Sequence, residues 1–191
     1  MKGIHFMMPT PFNLDGSVDL SSIVNLISVA KSAKCTGVVC LGVTGEAVKL
    51  TDIERKIIIE EVMNHAVVNQ LSVTVGTSGN SNQMLITRSQ EAQDLGANAI
   101  MVAPPQMLRP NLEKVEQLYS ALISDINLPV VIQDYPKETN VIMPPSFIKE
   151  LNESSPLMKY LKLEDPPTPQ KVSSVLALTG DKMEVFGGLG G

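Results

Sequence analysis

The constraint that matters most in this chain is an alternation. Seven short apolar runs recur, at residues 4–8, 37–41, 71–76, 98–102, 128–132, 158–162 and 183–187, with starts 25 to 34 residues apart. Each is too short for a helix and reads nearly continuously apolar, the pattern of a strand covered on both faces. Segments of helical periodicity lie between them. Leu20, Ile23, Val24 and Ile27 fall on one face, with Asp19 or Ser21 as cap. Thr51-Asp52-Ile53-Glu54 is a capping box that opens a helix running through Ile58 and Val62. Ser81 opens another helix, which Gly96 closes, and Thr168-Pro169 places proline in a first helical turn.

Strand-then-helix alternation without a linker or a break in composition predicts βα units around a parallel sheet. An open doubly wound sheet and a closed (β/α)8 barrel both satisfy it. Seven units without a clear dinucleotide fingerprint favour the barrel. Such a barrel needs eight strands and typically ~250 residues; this chain has 191. Its last residues, Gly187-Gly188-Leu189-Gly190-Gly191, read as the middle of a loop. The expectation is therefore an α/β fold, a (β/α)8 TIM barrel with about seven βα units present. Residues 1–191 would form a single domain, incomplete at the carboxyl end.

Composition narrows the function classes. With 43% hydrophobic and 18% charged residues the chain can bury a core, which argues against disorder. A net charge of −5 lacks the basic face that nucleic acid requires. No run approaches the ~18 apolar residues of a membrane span. Pro9 and Pro11 interrupt any early signal-peptide core, so a cytoplasmic location is expected. Two cysteines (Cys35, Cys40) and two histidines (His5, His65) make neither a disulfide framework nor a zinc site, and no metal is expected. Cys40 and His5 read as interior residues and His65 as a helix-surface residue.

Catalytic groups of a barrel sit at the carboxyl ends of its strands. After the second run, Gly42-Val43-Thr44-Gly45-Glu46 is either an ordinary turn or a small nest of N–H groups for a carboxylate or phosphate. The fifth run leads into Gln133-Asp134-Tyr135-Pro136, either a proline turn or a polar, phenolic cluster. The sixth ends at Lys162, followed by Leu163-Glu164-Asp165-Pro166-Pro167. A lysine there is by default solvated. If alternation turns it inward together with Tyr160, desolvation favours the free amine, a nucleophile for carbonyl substrates. The seventh ends at Gly187, where a substrate could approach the backbone closely.

Together these strand ends resemble the dihydrodipicolinate synthase / N-acetylneuraminate lyase family of class I aldolases. The likeness runs from Pro9-Thr10-Pro11-Phe12 and Asp15-Gly16-Ser17-Val18-Asp19, through Gly42-Val43-Thr44-Gly45-Glu46 and Leu50-Thr51, to Gly96-Ala97-Asn98-Ala99 and the lysine run. It spans the whole chain, about two thirds of a usual family member. It implies a (β/α)8 barrel assembled as a homo-oligomer, a dimer or tetramer. It also implies a lysine forming a Schiff base with pyruvate or another 2-oxo acid, with no dissociable cofactor. On that resemblance Lys162 is the Schiff-base nucleophile and Thr44, with neighbouring N–H groups, binds the substrate carboxylate.

The departures from the family pattern are local. Val43 stands where the family has a hydroxyl residue, and Gln133 where it has a strand-five tyrosine. The tyrosine after strand four is replaced within Pro104-Pro105-Gln106-Met107. Tyr135, with the alternation of Gln133 if the strand continues, is the expected proton donor, and Gln133 and Glu164 are expected to hydrogen-bond substrate. The position of the synthase's second-substrate arginine falls near Glu138, whose carboxylate would repel an acidic aldehyde. The resemblance thus implies a lyase or synthase acting on a 2-oxo acid. A sugar-acid dehydratase of the same family and a non-catalytic 2-oxo-acid-binding protein stand as alternatives.

Overall fold

The structure, a computed structural model, describes residues 1–188. Seven strands follow one another in chain order in the sheet. The chain divides into two compact units, Met1–Thr77 with Glu91–Ile100, and Ser78–Gln90 with Met101–Gly191.

In the first unit, β1 (His5–Met7), β2 (Gly37–Cys40) and β3 (Ser72–Gly76) pair in parallel, with Val38 opposite both Phe6 and Val73. Parallel neighbours need a crossover, and the helices supply it. Helix α1 (Leu20–Ser32) starts at the Asp19 cap, which accepts the Ser22 N–H, and buries Ile23, Ile27 and Ala30. Helix α2 (Asp52–Val68) opens on the complete Thr51/Glu54 capping box and buries Ile58, Ile59, Val62 and Ala66. Every residue of β2 is buried. That explains why the run carries no polar alternation: helices on one face and strand-interior side chains on the other leave no side facing water.

Helix α3 (Asn82–Asp94) and strand β4 (Ala99–Val102) each contribute residues to both units. The second unit continues with α4 (Leu112–Asp125), β5 (Val130–Asp134), the single turn α5 (Pro136–Thr139), α6 (Pro145–Ser154), β6 (Tyr160–Leu163), α7 (Thr168–Thr179) and β7 (Glu184–Gly187). Strands β5, β6 and β7 are parallel. Helix α4 buries Val115, Leu118, Tyr119 and Leu122, and α6 buries Phe147, Ile148 and Leu151. Asn152 of α6 donates to the carbonyls of Met158 and Lys182, just ahead of β6 and β7, so one buried amide aligns the starts of two strands. Two strands end later than the sequence runs suggest, β5 at Asp134 and β6 at Leu163, whereas β1 and β2 stop one residue earlier, at Met7 and Cys40. Among the described residues no helix is long and apolar enough to cross a membrane, and no group of three or more His, Cys, Asp or Glu residues could hold a metal ion.

Candidate active site

The register of the second unit sets three side chains in one row. Gln133 of β5 lies opposite Lys162 of β6, and Lys162 lies opposite Phe186 of β7. Side chains of paired residues in a parallel sheet share a face, and residues two apart share it too. Glu164 therefore returns to the face of Lys162 just beyond the end of β6. Its Oε2 sits 3.0 Å from Lys162 Nζ and accepts a 2.7 Å hydrogen bond from Gln133 Nε2. The lysine side chain is 12% exposed and the glutamate 7%, so amine and carboxylate form a nearly desolvated pair with one edge open. Tyr160, one row below, is buried and its ring lies 6.2 Å from that of Phe186.

The structure thus brings Lys162 and Gln133 together around a carboxylate. Tyr135 is placed differently. β5 ends at Asp134, and Tyr135 sits half-buried at φ −131°, ψ 75°, capping α5, so strand alternation does not extend to it. Of the other tyrosines, Tyr119 is fully buried and donates to the Val102 carbonyl at 2.8 Å, which leaves its hydroxyl committed to the fold. Glu138 lies exposed on α5.

Gly187 closes β7 opposite Leu163 and is exposed. Its neighbour Gly188 is the glycine that matters to the cluster. A Cβ there would collide with Cγ and Cδ of Glu164, and the Gly188 N–H donates to the Leu163 carbonyl at 3.1 Å. The missing side chain makes room for the carboxylate that meets Lys162. Gly188→Ala is expected to displace that carboxylate and lower the amine's reactivity with pyruvate about tenfold, a barrier change of about 1.4 kcal/mol. Lysine-adduct formation read by mass spectrometry tests this, and an unchanged rate would mean that the Glu164 position does not matter. Residues 189–191 of the glycine stretch lie outside the described residues.

The opposite face of the same strand ends is also charged. Asp134 has no exposed surface, and Lys171 of α7 places Nζ 2.6 Å from its Oδ2 and 2.7 Å from Asp165 Oδ2. The contact with Asp134 is an ion pair, and among the described residues neither carboxylate oxygen of Asp134 has an aligned hydrogen-bond partner. Burial pushes the Asp134 carboxyl up to about 6, against the pull of Lys171 and with a further push from Asp165 and Glu164. A carboxyl that binds its proton more tightly folded than unfolded stabilises the fold below its unfolded value and loses that contribution as pH rises through its folded value. Wild-type stability is therefore expected to carry a falling component between about pH 4 and 6, with a slope of at most about 1.4 kcal/mol per pH unit. Asp134→Asn should remove that component, as measured by urea midpoints across the range; parallel profiles for the two proteins would contradict it.

Thr44 and Val43 belong to the first unit. Leu41 enters the left-handed region at φ 57° and turns the chain into Gly42–Glu46. Gly76 permits that turn, since a Cβ there would strike the Leu41 carbonyl. The Gly45 and Glu46 N–H groups close back on the carbonyls of Gly42 and Val43 at 3.1 and 3.0 Å, and Thr10 Oγ1 donates to the Gly45 carbonyl at 2.6 Å. Buried Arg55 donates to the Gly76 carbonyl at 2.8 Å and reaches the Ala47 carbonyl at 3.4 Å. Thr44 stands exposed on this braced turn, and its hydroxyl and N–H have no partner among the described residues. Two free donors on a rigid turn suit a carboxylate oxygen. Val43, half-exposed, adds no hydrogen-bonding group.

Residues 1–189 match the model of the dihydrodipicolinate synthetase family. The chain belongs to that family. It is 31% identical over 176 residues to the 4-hydroxy-tetrahydrodipicolinate synthase of Methanococcus maripaludis, covering 92% of this chain and 60% of that one. It is 28% identical over 186 residues to the L-2-keto-3-deoxyarabonate dehydratase of Azospirillum brasilense, covering 96% and 60%. Among solved structures, the dihydrodipicolinate synthase of Acinetobacter baumannii complexed with pyruvate superposes with a TM-score of 0.92 at 27% identity, over 97% of this chain and 63% of the other. The fold is thus that family's barrel, of which the described residues supply seven strands and the helices between them. The chain spans about 60% of the length of the curated relatives it matches.

Proposed function

We propose that this family member is a Schiff-base lyase or synthase acting on pyruvate or another 2-oxo acid, with Lys162 as nucleophile. The observation that carries the reading is the Lys162–Glu164 pair: a primary amine at a strand end, 12% exposed, with a carboxylate 3.0 Å away to accept its proton. The amine adds to the 2-oxo carbon, the carbinolamine loses its hydroxyl as water, and the iminium draws electrons from the adjacent carbon so that a bond to it can form or break. Glu164 takes the ammonium proton before addition and returns one to the departing hydroxyl. Gln133 fixes the carboxylate. On the family likeness Thr44, with its N–H, belongs to a carboxylate-binding turn of the first unit that needs no cation. Tyr135, beside the α5 turn, is the proton donor for a later step. The lysine supplies the electron sink, so the reaction requires neither metal nor dissociable cofactor.

A second reading is favoured by the dehydratase relative and by the carboxylate beside the lysine: loss of water from a 2-oxo sugar acid through the same iminium. Assay of acidic sugars for loss of water against release of pyruvate separates the two. A cytoplasmic homo-oligomer, dimer or tetramer, is the assembly this reading carries, and light scattering after size exclusion measures it. The deciding experiment is borohydride reduction in the presence of pyruvate with peptide mapping. An adduct on Lys162 supports the reading; no adduct with pyruvate or with a panel of 2-oxo acids rejects it in favour of a family fold without the family chemistry.

A further inference from the structure

Behind the Lys162 row lies a charged cluster that the proposed chemistry does not use. Strand alternation puts Gln133 and Glu164 on one face and their chain neighbours Asp134 and Asp165 on the other. Lys171, in the first turns of α7, has a side chain only 10% exposed and bridges both aspartates, at 2.6 Å and 2.7 Å. Each aspartate is therefore one residue from a member of the inner cluster. The two strand ends are otherwise joined at this level by the Glu164 N–H donating to the Asp134 carbonyl at 2.9 Å.

We propose that Lys171 is a positioning residue for Lys162: by tying Asp134 to Asp165 from α7, it holds the ends of β5 and β6 in the one arrangement in which Gln133, Glu164 and Lys162 converge. The proposal rests on the Schiff-base reading of Lys162. Its physical basis is the count of charges. Asp134, Asp165 and Glu164 crowd one strand end, and without Lys171 the cation that remains paired into that group, among the described residues, is Lys162. Three carboxylates sharing one ammonium would spread apart or take up protons, and would hold the Lys162 proton more firmly. A buried ammonium that loses neither partner is a rigid fixture, whereas removing it leaves a buried carboxylate uncompensated. The groups that bear on Asp134 are Lys171 from α7, Asp165 and Glu164 from the segment after β6, and Tyr119 from α4. Three of these four act on it as charges, so the bridge is sensitive to the protonation of Asp134.

The test compares Lys171→Met, Lys171→Arg and Asp165→Asn with wild type in the full chain. Two readouts are used: the pH profile of pyruvate trapping at Lys162, and the pH profile of Lys162 acetylation by trace acetic anhydride with peptide mapping. Lys171→Met should slow trapping about tenfold near neutral pH and move both profiles toward alkaline pH by about one unit. Lys171→Arg should restore the cation and most of the rate, and Asp165→Asn, which removes one arm without opening a buried hole, should give an intermediate shift. A loss of folded protein in Lys171→Met leaves the decision to Asp165→Asn. Profiles that superpose on wild type in the folded variants overturn the proposal. If wild type traps no 2-oxo acid, the Schiff-base reading fails on its own. The acetylation profiles then still decide whether Lys171 governs Lys162.

Discussion

Lys162→Ala is expected to abolish the borohydride-stable pyruvate adduct and to lower any 2-oxo-acid turnover by on the order of 10³-fold or more. The size of the effect follows from what remains. Alanine leaves Glu164 and Gln133 in place, so substrate can still be held, but no other amine lies in the row of Gln133 and Phe186. Lys171, which pairs with acids at the same strand ends, is committed to two carboxylates on the opposite face and cannot substitute. The folded state should survive. Lys162 is a nearly buried, paired charge, but Glu164 keeps its hydrogen bond from Gln133 when the ammonium is removed, and the strand keeps Tyr160, Leu161 and Leu163 buried. Circular dichroism together with peptide mapping separates loss of the adduct from loss of the fold. A pyruvate adduct persisting on another lysine in Lys162→Ala would move the nucleophile elsewhere.

Much of this fold is legible from the apolar runs because each strand is covered on both faces, so burial writes itself into the sequence as uninterrupted Val, Ile, Leu and Met. The same rule explains the misplaced ends. Gln133 and Asp134 are polar and look like loop, yet they continue the ladder, because at the carboxyl edge of the sheet the side chains serve chemistry or ion pairing while the backbone still pairs. Helix α1 and the capping box of α2 announce themselves through their caps. α4 and α6 are easily passed over. α4 begins behind the proline-rich stretch 103–110, and α6 starts on Pro144-Pro145 with no side-chain cap.

The candidate site was half legible. Lys162 stands out as a lysine at a strand end, and Gln133 as the residue that stands where the family has its strand-five tyrosine. The role of Glu164 as the partner of both depends on β6 ending at Leu163 with the chain still extended, which no local pattern declares. Gly188 was hidden within a glycine run whose first member, Gly187, looked equally suitable. The bridge from Lys171 to Asp134 and Asp165 joins residues 37 and six positions away along the chain, and only the packing of α7 behind the strands puts them together. The signal that could have pointed to the cluster is the density of acids in Glu164-Asp165 next to a lysine strand. Three carboxylates at one strand end require cations from somewhere.

Glu164→Gln tests the proposed chemistry from the other side. Glutamine keeps the shape and an oxygen that can still accept from Gln133 Nε2, but it cannot hold a proton. Two effects then compete at Lys162. With its counter-charge gone, a nearly buried ammonium is poorly solvated, and the free amine becomes easier to form, which favours addition to the carbonyl. Against this, the carbinolamine has lost the acid that protonates its departing hydroxyl, and positioned acid–base groups contribute about 10²–10⁴-fold. The amine gain saturates once the lysine is fully neutral, whereas the loss of the acid applies to every turnover, so the second effect wins. Trapping near neutral pH should fall about 100-fold, a barrier increase of about 2.7 kcal/mol, and water expulsion should become the slow step. Glu164→Ala should be slow in the same way, and added formate, small enough to occupy the space left by the carboxylate, should restore part of its rate in proportion to concentration. A Glu164→Gln enzyme as fast as wild type, with Glu164→Ala indifferent to formate, would reduce the carboxylate to an ion-pair partner and return the proton transfers to Tyr135 or to solvent.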